Sequence, residues 1–252
     1  HAAAFSAMKA AAARCGRAIR IGMAYHLRAF QPKNRFSLFD IVATHYIYQL
    51  WNWSLMNAVE TGKMRMFVPT MLDAREAIPG LKGTQDFLGI NYYSVDQISF
   101  SLFPPEIKVA TNPQLPKTDI GWDIFPDGLT GVLKRAHGNY PRLPVVVTEN
   151  GIADRDDTQR ARFIVDHLAA VRTAMKAGVK VEGYFYWAPY DNFEWHLGRD
   201  PRFGLAALDY ETMTRTPRPS AEVYRSIIIM NTGGKAVSRP LVIPQAVATD
   251  RS

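Results

Sequence analysis

The chain has 252 residues, 47% apolar and 21% charged, which supplies one large core or two small ones and excludes a disordered body. Its net charge is +7, but the cations are scattered, and Arg14, Arg17 and Arg20 at helical spacing read as a solvated face. No run of Lys and Arg interleaved with aromatics points to nucleic acid, no stretch of ~18 apolar residues offers a membrane span, and the lone Cys15 excludes an internal disulfide.

Residues 1–15 read as an Ala-rich helix that opens with no cap residue ahead of it. The native start is therefore expected upstream, and the compartment is unknown; the lack of disulfides favours the cytoplasm. Gly16 stops this helix, and Ile19–Leu27 is a first strand. Residues 39–60 carry apolar residues at helical spacing, and Gly62 ends them. Residues 86–94 form a second strand, followed by a Pro-punctuated loop from Asp96 to about Lys117 and a short helix over Gly128–Ala136.

The β-branched run Leu143–Thr148 predicts a buried parallel strand. A helix follows from about Asp157 to Ala177, with Ile164, Leu168, Val171 and Met175 on one face and Gly178 as its cap. Val181–Trp187 is the fourth strand, and Ser220 is the expected N-cap of a last helix, Ser220–Met230. Strands alternating with helices mean an α/β fold. A (β/α)₈ TIM barrel needs eight strands. Four strand–helix units therefore predict half a barrel, spanning 1–230, with 231–252 as a C-terminal tail.

Glu149 ends the third strand within TENG, at the mouth where barrel enzymes keep their chemistry. An exposed strand-end Glu is the bland alternative. The fourth strand weakens it: Trp187 leads into DNFEW at Asp191–Trp195 and RFGL at Arg202–Leu205. Indole faces beside carboxylates suit a sugar, whose C–H face stacks while its hydroxyls donate. His45, His137 and His167 lack metal-ligand spacing and read as surface groups, and no phosphate loop or dinucleotide fingerprint occurs; no metal or cofactor is expected.

TENG, NYYS at Asn91–Ser94, DNFEW, RFGL and GWDIFPDGL at Gly121–Leu129, in this order, resemble the family-1 glycoside hydrolases, the β-glucosidases and β-galactosidases. The resemblance covers residues 1–230 and implies a retaining β-glycosidase acting on β-linked glucosides or close epimers. It implies that Glu149 is the nucleophile, that Tyr93 hydrogen-bonds it and that Asn91 lies beside the catalytic pair. By the same resemblance Trp187 underlies the sugar, Glu194 and Trp195 clamp its distal hydroxyls, and Phe203 lines the pocket. Retention of Glu194 and Trp195 favours a neutral sugar over a phosphosugar.

Ala188-Pro189-Tyr190 after Trp187, and His196 and Leu197 after Trp195, depart from the family pattern and bear on the leaving group. The Asn-Glu-Pro string that carries the family's acid/base is absent. Retaining hydrolysis needs two carboxyl groups about 5–5.5 Å apart. The expected partner is therefore a complementing N-terminal half of the barrel, in the same or a second chain. The other reading is a non-catalytic half-barrel that binds sugar or a partner chain.

Overall fold

A computed structural model describes residues 1–69 and 72–231. Helix α1 (Ala2–Arg14) precedes strand β1 (Gly22–Pro32). Helix α2 (Leu38–Tyr48) continues through one π-helical turn, Gln49–Trp53, into α3 (Ser54–Thr61). Ser37 caps α2 by accepting the Asp40 N–H, and Gly62 ends α3 at a φ of 76°, a left-handed turn that glycine adopts without steric penalty.

A hairpin of β2 (Lys63–Val68) and β3 (Leu72–Ala77) follows, then the long β4 (Phe87–Leu102) and β5 (Pro105–Ala110). The second half comprises α4 (Pro126–Asn139), β6 (Val145–Asn150), α5 (Arg160–Lys176), β7 (Val181–Tyr186), a small hairpin of β8 (Ala206–Leu208) and β9 (Arg215–Pro217), and α6 (Pro219–Asn231).

The main sheet runs β1-β4-β6-β7, every neighbouring pair parallel, with β5 antiparallel on the outer half of β4. One face is sealed by helices. Leu88, Ile90 and Tyr92 of β4 and Val145 and Val147 of β6 pack with Leu129 and Leu133 of α4 and Val171 and Ala174 of α5. Each such side chain, fully buried, contributes about 1.5–3 kcal/mol. The other face is open: on β1, Tyr25, Leu27 and Ala29 are buried while Ala24 and His26, on the opposite face, are exposed. Beyond the sheet, β1's second edge is occupied by its own chain. The Asn52 amide bonds both the N–H and the C=O of Arg28, at 3.0 and 2.9 Å, and the Trp51 indole N–H donates to the His26 carbonyl at 3.1 Å.

Several expectations are corrected. Residues 96–117 are not simply a loop: β4 runs on to Leu102, with Val95 and Ile98 buried, and Pro104 and Pro105 mark the turn and the first residue of an edge strand. The hairpin at 63–77 is additional to the predicted elements. On α5, Ile164 and Val171 are buried as expected and Leu168 packs beside them, but Met175 is 49% exposed and the buried face also takes in Phe163, His167, Ala170 and Ala174.

His167 is therefore no surface group: it is fully buried and stacked on Phe163 with ring centroids 3.8 Å apart. Its Nδ1 lies 2.9 Å from the Phe163 carbonyl, and burial lowers its pKa to about 4, so the ring is neutral. His137 is half-buried, so of these three histidines His45 alone is exposed. Ser220 does not cap α6; it lies inside the helix, and its N–H and Oγ donate to the Asp157 carboxylate at 2.9 and 2.6 Å. The cap comes from across the fold. Of the expected tail, 232–252 lies outside the described residues.

Candidate active site at the strand ends

Glu149 is the penultimate residue of β6, in register with Asn91 on β4. The Tyr93 hydroxyl donates to Glu149 Oε2 at 2.6 Å. Burial and then the hydrogen bond to Glu149 drive the Tyr93 pKa far up, so the phenol keeps its proton and acts only as donor toward the carboxylate. Asn91 accepts from the Thr148 hydroxyl at 2.5 Å, which fixes its amide beside the same row.

The platform beneath is polar and closed. Asn150 is fully buried; it donates to the Tyr92 carbonyl at 2.7 Å and accepts from the Tyr184 hydroxyl at 2.7 Å, tying β4, β6 and β7 together one residue past Glu149. Gly151 explains the end of the TENG string: a Cβ there would lie 1.8 Å from the Trp187 carbonyl oxygen. Only glycine lets β6 leave the sheet while Trp187 crosses it. Asn150 was legible as part of that motif, but its tie to two neighbouring strands required their registers.

Trp187 is half-buried and joined to Ala188 by a cis peptide bond. It packs on a cluster of Tyr93, Ala153, Ala188 and Phe203, with Trp122 beside them. Phe203 is 1% exposed and meets Tyr93 edge-on at 6.3 Å, and Trp122 meets Tyr93 at 5.5 Å. The structure thus brings Glu149, Tyr93, Asn91, Trp187 and Phe203 into one group. Glu194 and Trp195 lie on the segment after β7, and the Glu194 charge adds to the field that raises the Tyr93 pKa. Glu194 is half-buried and accepts from the Asn192 amide at 2.8 Å, while Trp195 is 80% exposed with φ at 46°.

His26 has no counterpart among the predicted site residues. It sits in register with Asn91, edge-on to Tyr93 at 6.0 Å and to Trp51 at 6.0 Å. Although part of it reaches solvent, lost hydration and then the Arg28 charge lower its pKa to about 4, so the imidazole is neutral at pH 7. Only the long-range register could reveal it.

The remaining buried carboxylates around these elements are engaged. Asp191, adjacent to the predicted clamp, is 1% exposed; burial would raise its pKa, but Arg218 and the Gly204 N–H hold it below the usual range. Asp96 pairs with Arg28, and Asp123 with Lys117. Glu149 carries a neutral donor, the Tyr93 hydroxyl, and no cation is paired with it among the described residues. Such a group can attack an electrophilic carbon, or hold a sugar hydroxyl.

The family model described as Glycosyl hydrolase family 1 matches residues 1–233. A bifunctional beta-D-glucosidase/beta-D-fucosidase of Bifidobacterium breve is 38% identical over 169 residues, 57% of this chain and 37% of that protein. A beta-galactosidase of Sulfolobus acidocaldarius is 32% identical over 241 residues, 92% of this chain and 46% of the relative. The solved family 1 b-glucosidase of Thermotoga maritima superposes with a TM-score of 0.76 at 30% identity, covering 86% of this chain and 52% of that one. The chain thus spans about half the length, or less, of these relatives.

A parallel α/β sheet that superposes on part of a barrel glycosidase is a partial (β/α)₈ barrel. The chain belongs to glycosyl hydrolase family 1.

Proposed function

We propose that these residues form the nucleophile half of a retaining β-glycosidase, and that 1–230 is one half of a single barrel domain. The observation that carries this reading is the Tyr93 hydroxyl on Glu149 at the sheet mouth, with the Trp187 indole beside them. Glu149 attacks the anomeric carbon and forms a glycosyl–enzyme ester. A carboxylic acid from a complementing segment protonates the departing glycosidic oxygen, then removes a proton from the water that cleaves the ester.

Tyr93 steers the Glu149 carboxylate before attack. Trp187 stacks under the ring, Phe203 closes the pocket wall, and Glu194 with Trp195 holds the hydroxyls remote from the bond. A neutral β-glucoside or close epimer fits this set, in keeping with the glucosidase, fucosidase and galactosidase names of the relatives.

By the same resemblance, the acid comes from the complementing half. The test is trapping. A 2-deoxy-2-fluoro-β-glucoside with an activated leaving group, given to the protein at its full natural length, is expected to add one fluoroglycosyl mass to the peptide bearing Glu149. Labelling of another carboxylate, with Glu149→Gln still active, rejects the assignment. A sugar-binding half-barrel without turnover, the alternative, predicts binding with no label at all.

A further inference from the structure

We propose that Arg218, the residue before α6, is a positioning residue for sugar recognition: it acts through Asp191 and sets where Glu194 stands. This rests on the glycosidase reading and deepens it, because it assigns an almost buried residue behind the site to the recognition of hydroxyls.

The segment that leaves β7 is hung on a second stretch of the chain. The Ala188 N–H donates to the Phe203 carbonyl at 3.2 Å and the Leu205 N–H to the Ala188 carbonyl at 2.9 Å. The Ala206 N–H then donates to the Pro189 carbonyl at 3.0 Å, and the Asp191 N–H to the Ala206 carbonyl at 3.2 Å. The two stretches lie so close that a Cβ on Gly204 would stand 2.3 Å from the Asp191 nitrogen. Asp191 is the last rung, and Glu194 follows it by one short turn of chain.

At that rung the ladder is locked. The Asp191 carboxylate, 1% exposed, accepts the Gly204 and Leu208 N–H groups at 2.9 and 3.2 Å and both terminal nitrogens of Arg218 at 3.0 Å. Arg218 grips the second stretch too: its Nη1 donates to the Gly204 carbonyl at 2.7 Å, and its backbone N–H to the Leu205 carbonyl at 2.8 Å. One planar guanidinium therefore holds both sides of the ladder at a fixed spacing, which a point charge on a flexible stem does not do.

Beyond Asp191 the grip passes directly to the recognition group. The Tyr210 hydroxyl donates to the Asn192 carbonyl at 2.9 Å, and the Asn192 amide donates to Glu194 at 2.8 Å. The backbone bonds of Glu194 with Leu197 and Gly198 lie within its own turn and move with it. The Glu194 charge is felt at Tyr93, where it helps to raise the phenol pKa. A shift of this segment thus changes how the sugar-holding carboxylate stands against the Glu149–Tyr93 pair.

Arg218→Lys keeps the charge and loses the fork, and Arg202, 3.5 Å from Asp191, leaves the carboxylate a second cation. In the protein at its full natural length, kcat/KM is measured on 4-nitrophenyl β-D-glucoside and its 4-deoxy analogue, with and without Glu194→Ala. Arg218→Lys is expected to lower kcat/KM on the glucoside about tenfold, the effect of a sub-ångström misplacement. The loss should shrink on the 4-deoxy substrate, and should fall within about twofold in the Glu194→Ala background, the non-additivity of two residues acting in series. A loss that persists undiminished without Glu194 makes Arg218 a general support of the fold and overturns the inference. So does unchanged kcat/KM in the folded variant. If Arg218→Lys does not fold, Asp191→Asn, which keeps the shape and one acceptor oxygen, carries the same cycle; loss of fold in both variants makes the pair a structural lock and rejects the positioning role. In each of these cases labelling of Glu149 in the parent protein leaves the nucleophile assignment standing. Failure of the parent protein to label removes the glycosidase reading, and this inference with it.

Discussion

Glu149 and Tyr93 sit on neighbouring strands, joined at 2.6 Å over the buried Asn150 tie and the helix-sealed core. Glu194 and Trp195 sit on a loop, one half-buried with a single amide partner, the other 80% exposed. The contrast separates two demands. Attack on carbon needs a carboxylate held within a fraction of an ångström, which strands and a sealed layer supply. Recognition of hydroxyls tolerates a loop, where sequence can change without disturbing the reacting pair. The neighbours His196 and Leu197, where the resemblance breaks down, lie on that loop.

The largest test of this division is Glu149→Ala, expected to lower kcat by at least ~10⁴-fold, the scale seen when a nucleophile is lost. Added azide should restore turnover with a β-glycosyl substrate by giving an α-glycosyl azide; a β-azide product would place the nucleophile elsewhere. Tyr93→Phe comes next. Loss of one donor to the reacting carboxylate should cost roughly 10²–10³-fold in kcat. A change confined to KM would move Tyr93 to the recognition side.

The third test concerns the support beneath the fixed pair. His167 packs at 6.2 Å from Tyr92, the residue before Tyr93. Its folded pKa, about 4, lies below the 6.5 of an unfolded imidazole, so the unfolded chain binds more protons between these values. Stability should therefore fall as pH is lowered from about 6.5 toward 4, by up to roughly 3 kcal/mol. Denaturant titrations across that window, compared with His167→Phe, should show a shallower slope in the variant, the remainder belonging to His26, whose pKa is likewise lowered to about 4. An unchanged slope assigns it to groups other than His167.

Smallest of the four is Glu194→Ala. Removing a charged acceptor of sugar hydroxyls should cost about 1.5–3 kcal/mol in kcat/KM on glucosides. The cost should shrink on a substrate lacking the distal hydroxyl. Equal loss on both substrates would mean that Glu194 supports the loop rather than the sugar.

The parallel strands, α5 and the strand-end place of Glu149 were legible because continuous apolar runs and a 3.6-residue spacing survive without tertiary context. The outer half of β4 was missed although Gln97 to Leu102 alternates polar and apolar residues, because the prolines from Pro104 on read as loop punctuation, and the partner strand β5 begins at the second of them. His167 misled because a buried imidazole needs only a local carbonyl and a ring to stack on, neither of which shows as a pattern. Ser220 has the residue type of a cap, but Asp157, 63 positions away, supplies it. Residue types marked the TENG and GWDIFPDGL strings; His26, and the ties that Asn150 makes to neighbouring strands, emerged only once registers placed them.

The Asn52 amide on Arg28, with Trp51 on the His26 carbonyl, also limits how another chain can join this sheet. An open strand edge is a template for any passing strand, wanted or not. Here the template is short, because the stretch from His26 to Arg28 is already taken by side chains of the same chain. A strand zipping onto β1 meets a stop at that height, and a slipped register that turned its inward residues outward would have to run past the stop. The same two side chains shorten the edge on which a stray strand could zip.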